Sequence, residues 1–188
     1  YRVEGKEYRL GQHGFARDMD FELVSCSETE VWYRLESTEK TLSAYPWPFV
    51  LEIGYVLEGN SVTVLWKVTN PGESEMYFQI GAHPAFNYPD YDPETPDRGV
   101  VEFDRNENLQ RSGFEGKGCV DPEARFSMPV SEDGRVSLKR DTFDDIDTLM
   151  FEDNQVHRIA FLKCDGNPYL TVSFDAPVVA IWSPPKRN

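Results

Sequence analysis

Through most of this chain apolar residues recur at every second position, and nowhere do they recur at helical spacing over a dozen residues. A backbone so patterned is confined to strands that present one apolar face, which makes the expected fold class all-β, a large antiparallel β-sandwich. The clearest case is residues 50–57 and 62–69, two alternating runs separated by Glu58-Gly59-Asn60-Ser61. A Gly-Asn centre accepts the positive φ that a tight hairpin needs. Asn70-Pro71-Gly72 marks a second turn, so residues 76–80 are expected to add a third strand, completing a meander that ends at His83.

Further strands are expected at residues 21–25, 31–35, 100–103, 148–151, 156–162, 169–174 and 178–182. Between them, residues 87–99 are rich in proline and acid and have no period, and residues 112–121 carry three glycines; both are expected to be exposed loops. No internal repeat or low-complexity tract interrupts the pattern. The 188 residues fit one domain, 1–188, long enough to bury roughly 70% of the unfolded surface.

Charge narrows the partners. Nineteen Lys and Arg against 33 Asp and Glu give a formal charge of −14, which argues against nucleic acid and anionic membrane. No run approaches the roughly 18 apolar residues of a membrane span, and Tyr1-Arg2-Val3-Glu4 has neither an initiator Met nor a signal sequence, so a soluble protein is expected whose true N-terminus lies outside this sequence. Three cysteines, Cys26, Cys119 and Cys164, are an odd number without paired short spacing. That pattern speaks against a disulfide framework and against a zinc site, and fits a reducing cytoplasm. Cys26 and Cys164 each close a strand-like segment and are expected as buried thiols acting as small hydrophobes. An aromatic content of 13% suits either a β core or a cleft that stacks on sugars.

Few residues can carry chemistry. Gly81-Ala82-His83-Pro84-Ala85-Phe86-Asn87 places one of three histidines at the end of an apolar run, where Pro84 fixes its own φ and biases His83 toward extended backbone. His83 is either a structural histidine closing a turn or a positioned group able to give or take a proton near neutral pH. Gly11-Gln12-His13-Gly14-Phe15-Ala16-Arg17-Asp18 gathers a donor, a fixed cation and an acceptor beside two glycines. It suits hydroxyl binding; the alternative is a surface turn in which Arg17 pairs with Asp18 or another acid. His157, beside Arg158 in an alternating run, is expected to face solvent. Asp144-Asp145-Ile146-Asp147 lacks the spacing of a calcium loop and is expected as a solvated turn, with Asp147 best placed to reach a cleft. No phosphate-binding glycine loop, nucleophile elbow or His-Glu-x-x-His motif occurs.

Taken in order, Gln12-His13-Gly14-Phe15-Ala16-Arg17-Asp18, then Ile80-Gly81-Ala82-His83-Pro84-Ala85-Phe86-Asn87, resemble the aldose 1-epimerase (galactose mutarotase) family, in its bacterial LacX-like branch. Asp147-Thr148-Leu149-Met150-Phe151 is similar to the family's Asp-Ala-Leu-Ile-Phe segment, and Ile181-Trp182-Ser183-Pro184 to its late Trp strand, so the resemblance covers nearly the whole chain. It implies a β-sandwich of the galactose mutarotase type that binds a hexose, with no metal and no organic cofactor, as a monomer or homodimer. By the same resemblance His83 is the general acid that protonates the ring oxygen, while His13, Arg17, Asn87 and Asp147 are sugar-binding residues. The family's catalytic base is a glutamate in a Cys-Ile-Glu-Pro-Trp strand shortly after the Ile-Trp-Ser-Pro region, and its Gly-Arg-Leu-Lys segment precedes the Tyr-x-Val-x-Gly-Lys stretch; neither motif occurs in these 188 residues. The expectation is therefore the central portion of a longer domain, with little activity by itself. A carbohydrate-binding protein without turnover is the competing reading, and a glycosidase would need two carboxylates flanking the bond, of which no pair stands out.

Overall fold

The structure, a computed structural model, describes residues 1–88, 90–92, 94–115, 119–144 and 148–183. The chain divides into two compact units, Tyr1–Ala82 and His83–Asn188.

In the first unit β1 (Arg2–Val3) and β2 (Lys6–Glu7) form a small hairpin, and a 3-10 turn spans Ala16–Asp18. Then come β3 (Glu22–Cys26), β4 (Glu30–Glu36), helix α1 (Glu39–Ala44), β5 (Val50–Glu58) and β6 (Ser61–Thr69). Strands β3 to β6 pair in sequence order as an antiparallel meander. The β5–β6 hairpin closes at Glu58 opposite Ser61, with Gly59 at φ 59° supplying the left-handed turn residue. Helix α1 is six residues long, too short for a periodicity to register, and is capped reciprocally: Thr38 Oγ1 accepts the Thr41 N–H and Thr41 Oγ1 accepts the Thr38 N–H. Leu35, Tyr45, Phe49 and Leu51 form the buried cluster of this unit, packed by Phe15, Ile53, Val68 and Met76.

Residues 76–80 are not a strand. Alternation specifies an extended backbone but no ladder partner, and here the run stays unpaired: Met76 packs on the core and the Tyr77 carbonyl accepts the Tyr45 hydroxyl at 2.8 Å. The turn before it holds, with the Asn70 side chain accepting the Gly72 N–H at 2.9 Å.

The second unit contributes β7 (Asp97–Phe103), β8 (Leu109–Glu115), β9 (Cys119–Met128), β10 (Arg135–Lys139), β11 (Thr148–Phe151), β12 (Arg158–Leu162), β13 (Pro168–Ser173) and β14 (Val179–Trp182). They make two antiparallel four-stranded sheets, ordered β10-β7-β12-β13 and β14-β11-β8-β9. One buried cluster draws on both sheets, Val101, Phe103, Leu138 and Ile159 from the first and Leu109, Leu149 and Phe151 from the second, so this unit is a β-sandwich. Ser112, fully buried, donates to Glu152, which also takes Arg125 at 2.8 Å, so that buried hydroxyl is satisfied.

Three expectations are corrected here. Of residues 112–121, the described ones, 112–115 and 119–121, are not an open loop but belong to the paired strands β8 and β9, with Gly113 opposite Asp121. The proline-rich stretch ends at Asp97, where β7 begins, rather than at Gly99. Cys26 and Cys164 are exposed free thiols, as is Cys119, because the ends of β3 and β12 lie at the surface. His157 is exposed, as expected, just before β12.

Candidate active site

Residues 83–88 carry the His-Pro-Ala-Phe-Asn motif without any regular secondary structure, so side chains must hold their path. Five contacts within the second unit do so. The Phe86 ring lies 6.0 Å from Phe161 of β12, and the Tyr169 hydroxyl of β13 donates to the Asn87 carbonyl at 2.6 Å. The Tyr88 hydroxyl donates to the Leu162 carbonyl and accepts the Val100 N–H at 3.1 Å, which ties the segment to β12 and β7 together. Tyr88 and Tyr169 meet edge to face, their centroids 5.7 Å apart. Burial, and then the neighbouring Tyr88, raise the Tyr169 phenol above its ordinary value, so it remains a donor at neutral pH.

At the start of this pinned segment, the His83 imidazole stands edge-on to the Trp182 indole of β14, centroids 5.8 Å apart and planes at 89°. Both side chains are exposed. The indole limits the orientations of the imidazole.

In the first unit, His13 and Gly14 both adopt left-handed backbone, φ 66° each, and the Gly14 N–H donates to the Gly11 carbonyl at 3.0 Å. A histidine in that region is uncommon and marks a constrained turn. Phe15 anchors it, with its ring 5.7 Å from Phe49 and 6.2 Å from Tyr45, so His13 and Arg17 are exposed on either side of a half-buried phenylalanine. Arg17 Nε lies 3.6 Å from Asp18 Oδ1, the surface pairing foreseen as the alternative; at that distance and exposure it contributes little.

The structure thus brings His83 and Asn87 onto one pinned segment, and His13 and Arg17 onto one turn. Asp147 lies outside the described residues. Among the described residues, no group of three or more His, Cys, Asp or Glu is arranged to hold a metal ion. Two polar clefts, about 330 Å³ beside Glu102, Asp104, Asp133 and Arg158 and about 450 Å³ beside Glu4, Lys6, Tyr8 and Trp47, include none of the candidate residues. Nothing local in the sequence marks Trp182, Tyr88 and Tyr169 as partners of the motif: Trp182 and Tyr169 lie in distant strands, and Tyr88, directly after Asn87, finds its partners in β7 and β12. Only the Ile181-Trp182-Ser183-Pro184 segment offered a signal.

With this geometry in view, the family model for aldose 1-epimerase matches residues 1–185. The chain is 32% identical over 195 residues to the chromosomal protein LacX of Lactococcus lactis, covering all of this chain and 64% of LacX. Its structure is similar to that of a galactose mutarotase related enzyme from Lactobacillus acidophilus, with a TM-score of 0.86 and 30% identity over 97% of this chain and 60% of the other. It also shares its fold with a galactose mutarotase-like protein from Lactobacillus casei, TM-score 0.77 and 23% identity, over 100% of this chain and 64% of the other. The chain therefore spans less than two thirds of the length of these relatives. A match running through all but the last few residues leaves one conclusion: the chain belongs to the aldose 1-epimerase family.

Proposed function

We propose that these residues form the acid-bearing, sugar-contacting part of an enzyme that interconverts the α and β anomers of a hexose. His83 protonates the ring oxygen while a base removes the proton of the anomeric hydroxyl; the C1–O5 bond breaks, the aldehyde turns about C1–C2, and the ring closes on its other face. His13, Arg17, Asn87 and Asp147 bind hydroxyls. The base is the family's glutamate, whose Cys-Ile-Glu-Pro-Trp motif does not occur in these 188 residues, so this chain by itself turns over little. The exposed free thiols Cys26, Cys119 and Cys164 support work in a reducing compartment, the cytoplasm.

The observation that carries this reading is the presentation of His83: an exposed imidazole, oriented by Trp182, at the head of a segment pinned at Phe86, Asn87 and Tyr88. Polarimetry of freshly dissolved α-glucose or α-galactose tests it. The 188-residue chain should leave the rate within a few-fold of buffer; a rate far above buffer would refute the assignment of the base to polypeptide outside it. In a chimera carrying these residues in place of the matched region of LacX, His83→Asn should lower the rate about 10²- to 10⁴-fold, the usual worth of a positioned acid. An unchanged rate would remove His83 from the mechanism. Sugar binding by calorimetry with no turnover in the chimera would favour the carbohydrate-binding reading instead.

A further inference from the structure

The segment that begins at His83 is held by both sheets of the second unit, one at each end. Phe86, Asn87 and Tyr88 are fastened to the sheet β10-β7-β12-β13, through Phe161 and Leu162 of β12, Tyr169 of β13 and Val100 of β7. His83 instead meets Trp182 of β14, the end strand of the sheet β14-β11-β8-β9. Only Pro84 and Ala85 separate the two attachments. Three residues of extended backbone reach about 10 Å, which is also the usual spacing of two packed sheets, so the connection has little slack, and Pro84 with its fixed φ stiffens it.

These anchors hold the backbone of His83 but not the direction of its ring. A histidine side chain turns about two torsions, and attachments at Phe86, Asn87 and Tyr88 set neither of them. Trp182 does bear on the ring, with centroids 5.8 Å apart and planes at 89°. The indole is mounted to act as a stop. Strand β14 pairs with β11 along its whole length, from Trp182 opposite Thr148 to Val179 opposite Phe151. Val179 and Ile181 pack on the buried cluster, and alternation sends Trp182 to the other face of the sheet. Trp182 therefore stands on a fixed strand while taking no part in the buried cluster itself.

We propose that Trp182 is a positioning residue: it sets the direction in which the His83 imidazole points, tying the ring to the second sheet while the backbone that follows is held by the first. The proposal rests on the reading of His83 as the acid, and it gives Trp182 its effect through that ring alone.

Kinetics of the LacX chimera test it. Trp182→Leu should lower kcat about tenfold or more, as small misplacements of a reacting group do, with KM within about twofold, and Trp182→Phe, which keeps a ring, should recover most of the loss. In a His83→Asn background the same Trp182→Leu change should cost less than about twofold, because the group it orients is gone. An unchanged kcat, a rise in KM alone, or the full loss persisting in the His83→Asn background would overturn the proposal and leave the acid assignment standing. An unchanged rate in His83→Asn alone would remove the acid assignment and this proposal with it.

Nuclear magnetic resonance of the 188-residue chain gives a check that needs no turnover. The ring-proton resonances of His83, identified by their disappearance in His83→Asn, should shift in Trp182→Leu as the indole ring current is lost, and less in Trp182→Phe. The backbone amide resonances of residues 86–88 should stay in place. Ring protons that do not shift would mean that the indole does not stand beside the imidazole, and amides that shift with them would make Trp182 a support for the whole segment; either result overturns the proposal.

Discussion

Replacing Tyr88 by phenylalanine removes one oxygen and should cost more than a half-buried surface hydroxyl normally does. That oxygen donates to the Leu162 carbonyl and accepts the Val100 N–H at 3.1 Å, standing in for a ladder bond where the motif segment crosses the β7 and β12 strands. Each such bond is worth about 0.5–1.5 kcal/mol net, and stranding a partner in a buried setting adds to it; Leu162 is 2% exposed. The sum is about 2–4 kcal/mol. At roughly 2–4 °C per kcal/mol for a chain of this size, the melting temperature should fall by about 5–15 °C. Tyr169→Phe is the control: it loses one bond to an exposed carbonyl that water can replace, about 0.5–1 kcal/mol. Gly99 sharpens the test. It sits at φ +106°, and a Cβ there would clash with the Tyr88 ring edge and hydroxyl, so Gly99→Ala adds about 1–3 kcal/mol of backbone strain and itself displaces the hydroxyl. Combining Gly99→Ala with Tyr88→Phe should therefore cost clearly less than the sum of the two singles. Calorimetric melts of the four variants read this directly. If Tyr88→Phe and Tyr169→Phe shift the transition equally, or if Gly99→Ala and Tyr88→Phe add, the pinning argument is wrong.

Phe151 is 1% exposed and meets Phe103 nearly edge to face at 5.5 Å across the sandwich, so Phe151→Ala should destabilise the second unit by about 3–5 kcal/mol, read by urea titration of near-ultraviolet dichroism. A loss below about 1 kcal/mol would mean the two sheets do not share that core. Tyr45 and Tyr169 both have phenols raised above the ordinary value of about 10, chiefly by burial. A folded pKa above the unfolded one gives stability that is whole below pH 10 and is lost as pH rises through the folded values, so urea midpoints should be flat from pH 8 to 9.5 and fall beyond pH 10. Midpoints level to pH 11 would show that these phenols ionise as easily in the fold as outside it.

Local alternation is a reliable guide to extended backbone and a poor guide to pairing. The runs at 50–57 and 62–69 were legible because a Gly-Asn turn joins them, which gives both conformation and partner at once. The run at 76–80 alternates just as well, yet nothing local names its partner, and its apolar residues are used by packing Met76 on the core instead. The β8–β9 pairing was hidden for the converse reason: Ser112 and Gly113 look like loop residues, but Ser112 is buried with its hydroxyl satisfied by Glu152, a partner that forty residues of sequence conceal. Strands β7 and β10 meet through a register that the intervening hairpin separates, and only the fold brings them together.

The same distinction governs the site. His83 and His13 were legible because a proline and flanking glycines are local devices, and His13 sits on left-handed backbone. What turns a constrained histidine into a presented one is non-local: Trp182 beside the imidazole, Phe161 beneath Phe86, and the Tyr169 and Tyr88 hydroxyls along the following backbone. Trp182, Phe161 and Tyr169 lie far from the motif in sequence, on strands whose own alternation is explained by the sandwich core, and Tyr88, which directly follows the motif, reaches β7 and β12. A sandwich surface that offers aromatic groups and hydroxyls along a strand edge can thus hold an irregular loop as firmly as a ladder would, while leaving its leading side chain open to solvent. That combination suits the proton donor proposed for His83, with the candidate residues on irregular backbone and the residues that fix them on or beside paired strands.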